Sequence, residues 1–222
     1  MDKVYLAYNR MGRRSLRGAG DPNTVLGTPS RAGLRYLDTT TGVMYLSRNV
    51  LNFNNSAFIS LPLLTGVRSV EMQFYTPDAT IATSQPYFDQ GVADANRINL
   101  ERRGDNSNLA CVNSAATLNG VAISNNSTNP PANVWNKIVI NPIGGVDKQF
   151  DYICRGTNAT STRRANIRAC NVIARGAGNV LLASYAINEG SGTAIIDSSG
   201  NGLNGTLTLG SGAWILDWVP VA

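Results

Sequence analysis

From residue 49 onward, apolar and polar residues trade places over short intervals, and no apolar stripe recurs with the period of a long helix. Residues 67–75 read V-R-S-V-E-M-Q-F-Y. Their near-alternation puts Val70, Met72 and Phe74 on one face of a predicted strand. Residues 134–140 alternate again, with Val134, Ile138 and Ile140 expected on one side. Short apolar segments at 50–53, 57–61, 97–102, 109–112, 116–123, 149–153, 167–174 and 179–187 predict further strands. Turn residues punctuate them. Asn119-Gly120 is the strongest short hairpin signal, because a two-residue hairpin turn needs positive φ at both positions. Pro130-Pro131 and Gly144-Gly145 mark other turns. Turn signals at this spacing predict an all-β sandwich.

The first 26 residues show no such periodicity. The Gly- and Arg-rich stretch 10–22 reads as an extended arm. Residues 33–46 then form a hairpin pattern, two short strands flanking Asp38–Gly42. The predicted organisation is an N-terminal arm and hairpin over 1–48, and a sandwich over 49–222 in which 183–222 supplies a terminal strand or packing extension.

Charge sharpens that division. The chain has 222 residues and a formal net charge of +5. Residues 1–48 hold Lys3, Arg10, Arg13, Arg14, Arg17, Arg31, Arg35 and Arg48 against Asp2, Asp21 and Asp38, so they carry the whole excess. The rest is neutral, which argues against a nucleic-acid groove in the body. The basic segment suits an acidic neighbour or nucleic acid, with a solvated lead-in as the plainer alternative.

Candidate chemistry is thin. There is no histidine, which removes the usual triads and the commonest metal ligand. Glu71, Glu101 and Glu189 are the only glutamates, and no strand carries the paired carboxyls that glycoside hydrolysis uses. No enzyme is expected. Cys111, Cys154 and Cys170 are odd in number and widely spaced, so buried free thiols are expected. The first fourteen residues hold no apolar run of the secretion-signal kind, and no segment approaches 18 apolar residues. Assembly in a reducing cytosol without membrane insertion is the expectation.

Two motifs carry a resemblance. Leu26-Gly27-Thr28-Pro29-Ser30, Gly33, the run Tyr36-Leu37-Asp38-Thr39-Thr40-Thr41-Gly42 and Tyr45 resemble a hairpin motif of phage tail fibres and other virion proteins. Residues 188–193 (N-E-G-S-G-T), followed by 197–202 (D-S-S-G-N-G), resemble the signature of laminin-G-like, concanavalin A-like domains. Residues 118–121 and 134–140 look like two inner strands of that fold. The resemblance implies a jelly-roll sandwich that binds glycans or protein partners, sometimes with calcium. In that family the Glu-Gly-Ser-Gly-Thr motif opens the domain, whereas here it comes near the end. The C-terminal segment either supplies what is normally the first strand, begins a truncated second module, or pairs with a neighbouring subunit. The first is preferred, because a permuted order is tolerated when termini lie close together.

The resulting expectation is a bacteriophage structural component, such as a tail-fibre, baseplate or capsid-surface protein. It would be assembled in the host bacterial cytoplasm and act in the virion. Its partners would be other virion proteins and copies of itself, with a homotrimer as the usual fibre state. The alternative is a carbohydrate-binding module for a host-surface glycan. Arg10, Arg13, Arg14, Arg17, Tyr36, Tyr45, Trp214 and Trp218 are the candidate assembly residues. Asp197, Asn201 and Asn204 are oxygen-rich candidates for calcium, against the reading that they bond their own turn. Trp135, inside an alternating strand, is expected in the core. Arg163-Arg164 with Arg168 are candidates for an acidic contact, against a solvated loop.

Overall fold

The alternation at 67–75 folds as expected. Val70, Met72 and Phe74 are all fully buried along one strand. The structure, a computed structural model, describes residues 5–8, 14–89, 96–112, 114–142, 146–156 and 163–221. It is nearly all β, with two large, mainly antiparallel sheets. The strands are β1 (Tyr5–Tyr8), β2 (Arg14–Gly18), β3 (Arg35–Asp38), β4 (Met44–Asn52), β5 (Phe58–Val67) and β6 (Ser69–Tyr75). They continue with β7 (Gln85–Asp89), β8 (Asn99–Arg102), β9 (Leu109–Val112), β10 (Ser114–Leu118), β11 (Val121–Ile123) and β12 (Trp135–Pro142). The last are β13 (Lys148–Ile153), β14 (Arg168–Arg175), β15 (Leu181–Tyr185), β16 (Ala194–Ile195), β17 (Gly205–Thr208) and β18 (Ala213–Pro220). A short α-helix, α1, covers Pro22–Val25.

The chain divides into two units, Met1–Val50 with Trp214–Ala222, and Leu51–Ala213. The boundary after residue 50 lies beside the expected one at 48. The last nine residues group with the N-terminal unit, whereas the sequence expectation kept them with the sandwich.

In the first unit, β1 pairs antiparallel with β2, β2 parallel with β3, and β3 antiparallel with β4. β18 also pairs with β4. The residues expected as an extended arm therefore include two strands and a helical turn. Asp21 caps α1 by accepting from Asn23 N at 2.8 Å, and Pro22 follows at the position where a missing N–H costs nothing. The hairpin at 38–42 is held by Asp38. Its carboxylate accepts from Gly20 N, Thr40 N and the Thr41 hydroxyl at 2.7–2.8 Å.

In the second unit, one sheet runs β14-β6-β12-β10-β11. The outer edge of β14 is shared: Arg168 and Ala169 pair with Asn52 and Leu51, and Val172–Arg175 pair with β15. The other sheet runs β16-β17-β5-β13-β7-β8-β9. Phe74 on the first sheet meets Tyr87 on the second, ring centroids 5.1 Å apart, and Phe88 packs edge-on against Phe150 at 5.5 Å. Both pairs are fully buried, and each ring contributes roughly 1.5–3 kcal/mol of apolar burial. The Asn119-Gly120 turn joins β10 to β11 with φ of 52° and 81°, the double positive φ its sequence demands.

One local expectation shifts. Val134 is 38% exposed and lies outside the inward set, because the strand starts one residue later, after Asn133 at φ 60°. Asn136 takes the inward position instead, and its amide donates to the Pro131 and Val134 carbonyls. The Gly144-Gly145 turn lies outside the described residues.

Candidate functional site

Three of the eight expected assembly residues pack within their own unit. Tyr36, Tyr45 and Trp218 form a buried cluster against Leu16, Leu26, Leu34 and Val43. Tyr36 sits 6.3 Å from Tyr45 and 6.1 Å from Trp218, centroid to centroid. Trp218 Nε1 donates to Gly27 O at 3.1 Å, and the Asn23 side chain donates to Trp218 O at 3.0 Å. Aromatic rings separated along the chain are thus buried together in this unit. Burial, then Asp21 and Asp38 beside it, pushes the Tyr45 hydroxyl up to about 12. Trp214 is half-buried. Arg17 is exposed, Arg14 lies in β2, and Arg10 and Arg13 lie outside the described residues. Trp135 is 8% exposed and packs 6.1 Å from Tyr75, as expected of a core residue.

The Asp197 motif forms a knot. Its carboxylate accepts from Ser184 N, Ser199 N, Ser199 Oγ and Leu203 N at 2.8–3.1 Å. Asp197 N donates to Asn204 Oδ1, and the Asn201 amide donates to the Leu181 and Leu182 carbonyls. Tyr185 adds a bond from its hydroxyl to Leu203 O at 2.7 Å. All three calcium candidates are engaged in turn and strand bonds of this kind. The knot ties β15, at the edge of one sheet, to the loop between β16 and β17, the last two strands at one edge of the other. Close packing follows: a Cβ on Gly205 would come within 2.7 Å of Leu61 Cδ2 and 3.0 Å of Ile59 Cγ2.

Burial alone would raise the Asp197 pKa, but these hydrogen bonds outweigh it and hold the carboxyl below its usual range. Asp38 is held low too, first by the Thr41 hydroxyl, against opposing burial, and then by backbone N–H groups. Carboxyls depressed in the fold stabilise it above their unfolded pKa of about 3.9 and lose that contribution as pH falls through the folded value. Acid titration of stability should therefore drop below about pH 4, and Asp197→Asn should flatten that drop. A pH series of urea midpoints checks it.

A polar cleft of about 410 Å³ opens in the second unit. Its lining includes Asn55, Asp78, Thr80, Gln85, Arg163 and Arg164. Asn55 sits in the turn after β4, its N–H bonded to Ala165 O at 3.0 Å. Asp78 and Thr80 lie in the loop between β6 and β7, and Gln85 begins β7. Asn166 links two walls, donating through its side chain to Asp78 Oδ2 at 2.8 Å and through its N–H to Gln85 Oε1 at 3.3 Å.

The cleft has a fixed rim because of one residue that sequence reasoning passed over. Arg102 is fully buried at the end of β8. It donates to Ser107 O, Thr76 Oγ1, Asp78 O, Ala79 O and Asn129 Oδ1 at 2.8–3.0 Å. These bonds hold the 76–79 loop onto the sandwich. The sequence held a signal: Arg102 shares strand parity with Ile98 and Leu100, both fully buried, so a charge falls on an apolar face. Gly104 also sets the rim, since a Cβ there would meet Ala82 O at 2.8 Å and Ser84 N at 2.9 Å. Gly104→Ala is expected to push the 82–84 segment outward, with a loss of roughly 1–3 kcal/mol from overpacking. Urea denaturation measures that loss, and an unchanged midpoint would contradict the close approach.

The three cysteines are buried and not in disulfides, and burial pushes the Cys111 thiol up to about 12. A thiol reagent should leave all three unlabelled in the native protein and label them on unfolding. Rapid native labelling would contradict this burial.

Among the described residues, no group of three or more His, Cys, Asp or Glu side chains is placed to hold a metal ion. Comparison with family models, curated proteins and solved structures finds no match.

Proposed function

We propose that this protein is a binding and assembly component of a bacteriophage particle. In this reading its concanavalin A-like jelly roll presents the polar cleft to a surface glycan, and its N-terminal unit docks onto neighbouring virion proteins. The observation that carries the binding half is the cleft: amides, hydroxyls and guanidinium groups converge on one recess whose rim is held by a buried arginine. Such convergent polar groups on a rigid scaffold suit a polyhydroxylated ligand.

Binding without turnover is favoured by the carboxyl inventory. Asp78 is the one carboxylate among the described lining residues. Cleavage of a glycosidic bond uses two, about 5–10 Å apart. The assembly half rests on the hairpin motif of residues 33–45 and on the charge of the N-terminal residues, where Arg17, Arg31 and Arg35 are exposed. A symmetric homo-oligomer, with a trimer first, is the matching quaternary state.

A bacterial surface-glycan array with the purified chain tests the binding half. Saturable binding that Gln85→Ala weakens supports it, and an array without hits counts against it. Reversing Arg17, Arg31 and Arg35 to Glu together tests the assembly half. Loss of incorporation into particles, with unchanged glycan binding, is the expected result.

A further inference from the structure

We infer that the cleft is selective for a carboxylated glycan, with Arg163 and Arg164 forming its anion-binding side. This rests on the reading of the cleft as a glycan site and names the chemistry of the sugar. Arg163, Arg164 and Asp78 line the recess; with Arg155 beside Arg164 on the Phe58 ring and Glu101 on Arg163, three cations stand against two carboxylates, so the local charge favours an acid over a neutral polyol.

The placement of the cations strengthens the case. Arg155 and Arg164 face each other across an antiparallel bridge. Their guanidinium carbons lie 4.8 and 4.7 Å from the centroid of the same ring, Phe58, and Arg155 also lies 4.4 Å from that of Tyr152. Two like charges are thus gathered against one aromatic ring. Burial first, and then the charge of Arg155, pulls the Arg164 guanidinium below its ordinary value. A ligand carboxylate in the cleft opposes both effects and so binds where positive charge has been concentrated.

Geometry gives the pair direction. Arg164 Nη1 donates to Arg163 O at 2.8 Å, and Arg163 Nη1 is held by Glu101 Oε2 at 2.8 Å. Both guanidinium groups are therefore oriented before a ligand arrives, which suits the two-pronged recognition of a planar carboxylate. The remaining wall explains why the acid belongs to a sugar. Asn55, Thr80, Thr83 and Gln85 offer the mixed donors and acceptors that ring hydroxyls need. The volume falls within the roughly 300–1,000 Å³ usual for small-ligand recesses.

Matched ligands test the inference without reliance on any variant. Oligogalacturonate and its methyl ester share their ring hydroxyls and differ in charge; sialyllactose and lactose form a second pair that separates uronate from sialate. Calorimetry at low and high salt reads both. The expected result is binding of at least one acid, about tenfold tighter than its neutral partner and about tenfold weaker in Arg164→Gln, since each loses a charged hydrogen bond. The acid's affinity should also fall with salt. Equal binding of acid and neutral partner would overturn the inference while leaving the glycan reading intact. No binding by any sugar, acidic or neutral, across the array and both pairs would overturn both. Equal affinity for polyglutamate would reject the sugar and keep only the anion.

Discussion

Asp197→Ala is expected to destabilise the sandwich unit by about 3–5 kcal/mol, one of the two largest effects of any single substitution proposed for this chain. The reason is the number of donors that converge on one carboxylate. Three backbone N–H groups and the Ser199 hydroxyl lose their acceptor at once. Asp197 is only 7% exposed, so water replaces those bonds poorly. The substitution also releases the link between β15 and the loop before β17, so both sheet edges loosen together. Asp197→Asn keeps the shape but turns an NH₂ toward some of the donors, and should cost about half as much. Urea midpoints at constant slope measure both. A loss below about 1 kcal/mol for the alanine variant would show that the knot does not close the sandwich.

Arg102→Met should cost a similar roughly 3–5 kcal/mol, and should also abolish ligand binding in the cleft. Methionine fills much of the same space but leaves five acceptors, three of them backbone carbonyls, without their donor. The 76–79 loop, which carries Asp78 into the cleft, then loses its anchor. The two readouts separate. If stability falls and binding persists, Arg102 supports the fold but the rim is fixed by other contacts. If neither changes, the buried network is not the anchor described here. Asn129→Ala, which removes one of the five acceptors at its margin, should give a smaller loss of the same kind.

The strands that alternate, or that carry a recognisable turn, were legible in the sequence. β6, β12 and the β10–β11 hairpin follow from Val70, Met72 and Phe74, from Ile138 and Ile140, and from Asn119-Gly120. The N-terminal strands were not legible, because β1 and β2 are short and sit in a stretch without alternation, so pairing and not local pattern defines them. β7 was missed for a different reason. All five of its residues are buried, Asp89 included, so no polar face marks its period. The oxygen-rich run at 197–204 was found as a motif, and its single Asp favoured a turn cluster over a cation site. What separates them is where the N–H groups of Ser184 and Leu203 point, which no local pattern encodes. The cleft was least legible. Asn55, the 78–85 segment and Arg163-Arg164 come from three separate stretches, and only the sheet topology brings them to one recess. The aromatic residues Tyr36, Tyr45 and Trp218 were conspicuous in sequence, and the structure buries them in one cluster.

The most direct test of the account is to map the ligand site by backbone and side-chain chemical shifts on titration with an acidic oligosaccharide. The account predicts saturable shifts confined to Asn55, the 78–85 loop, Gln85 and Arg163-Arg164, with the Arg102 side chain unmoved. Shifts clustered elsewhere on the sandwich, or none at millimolar ligand, would contradict it.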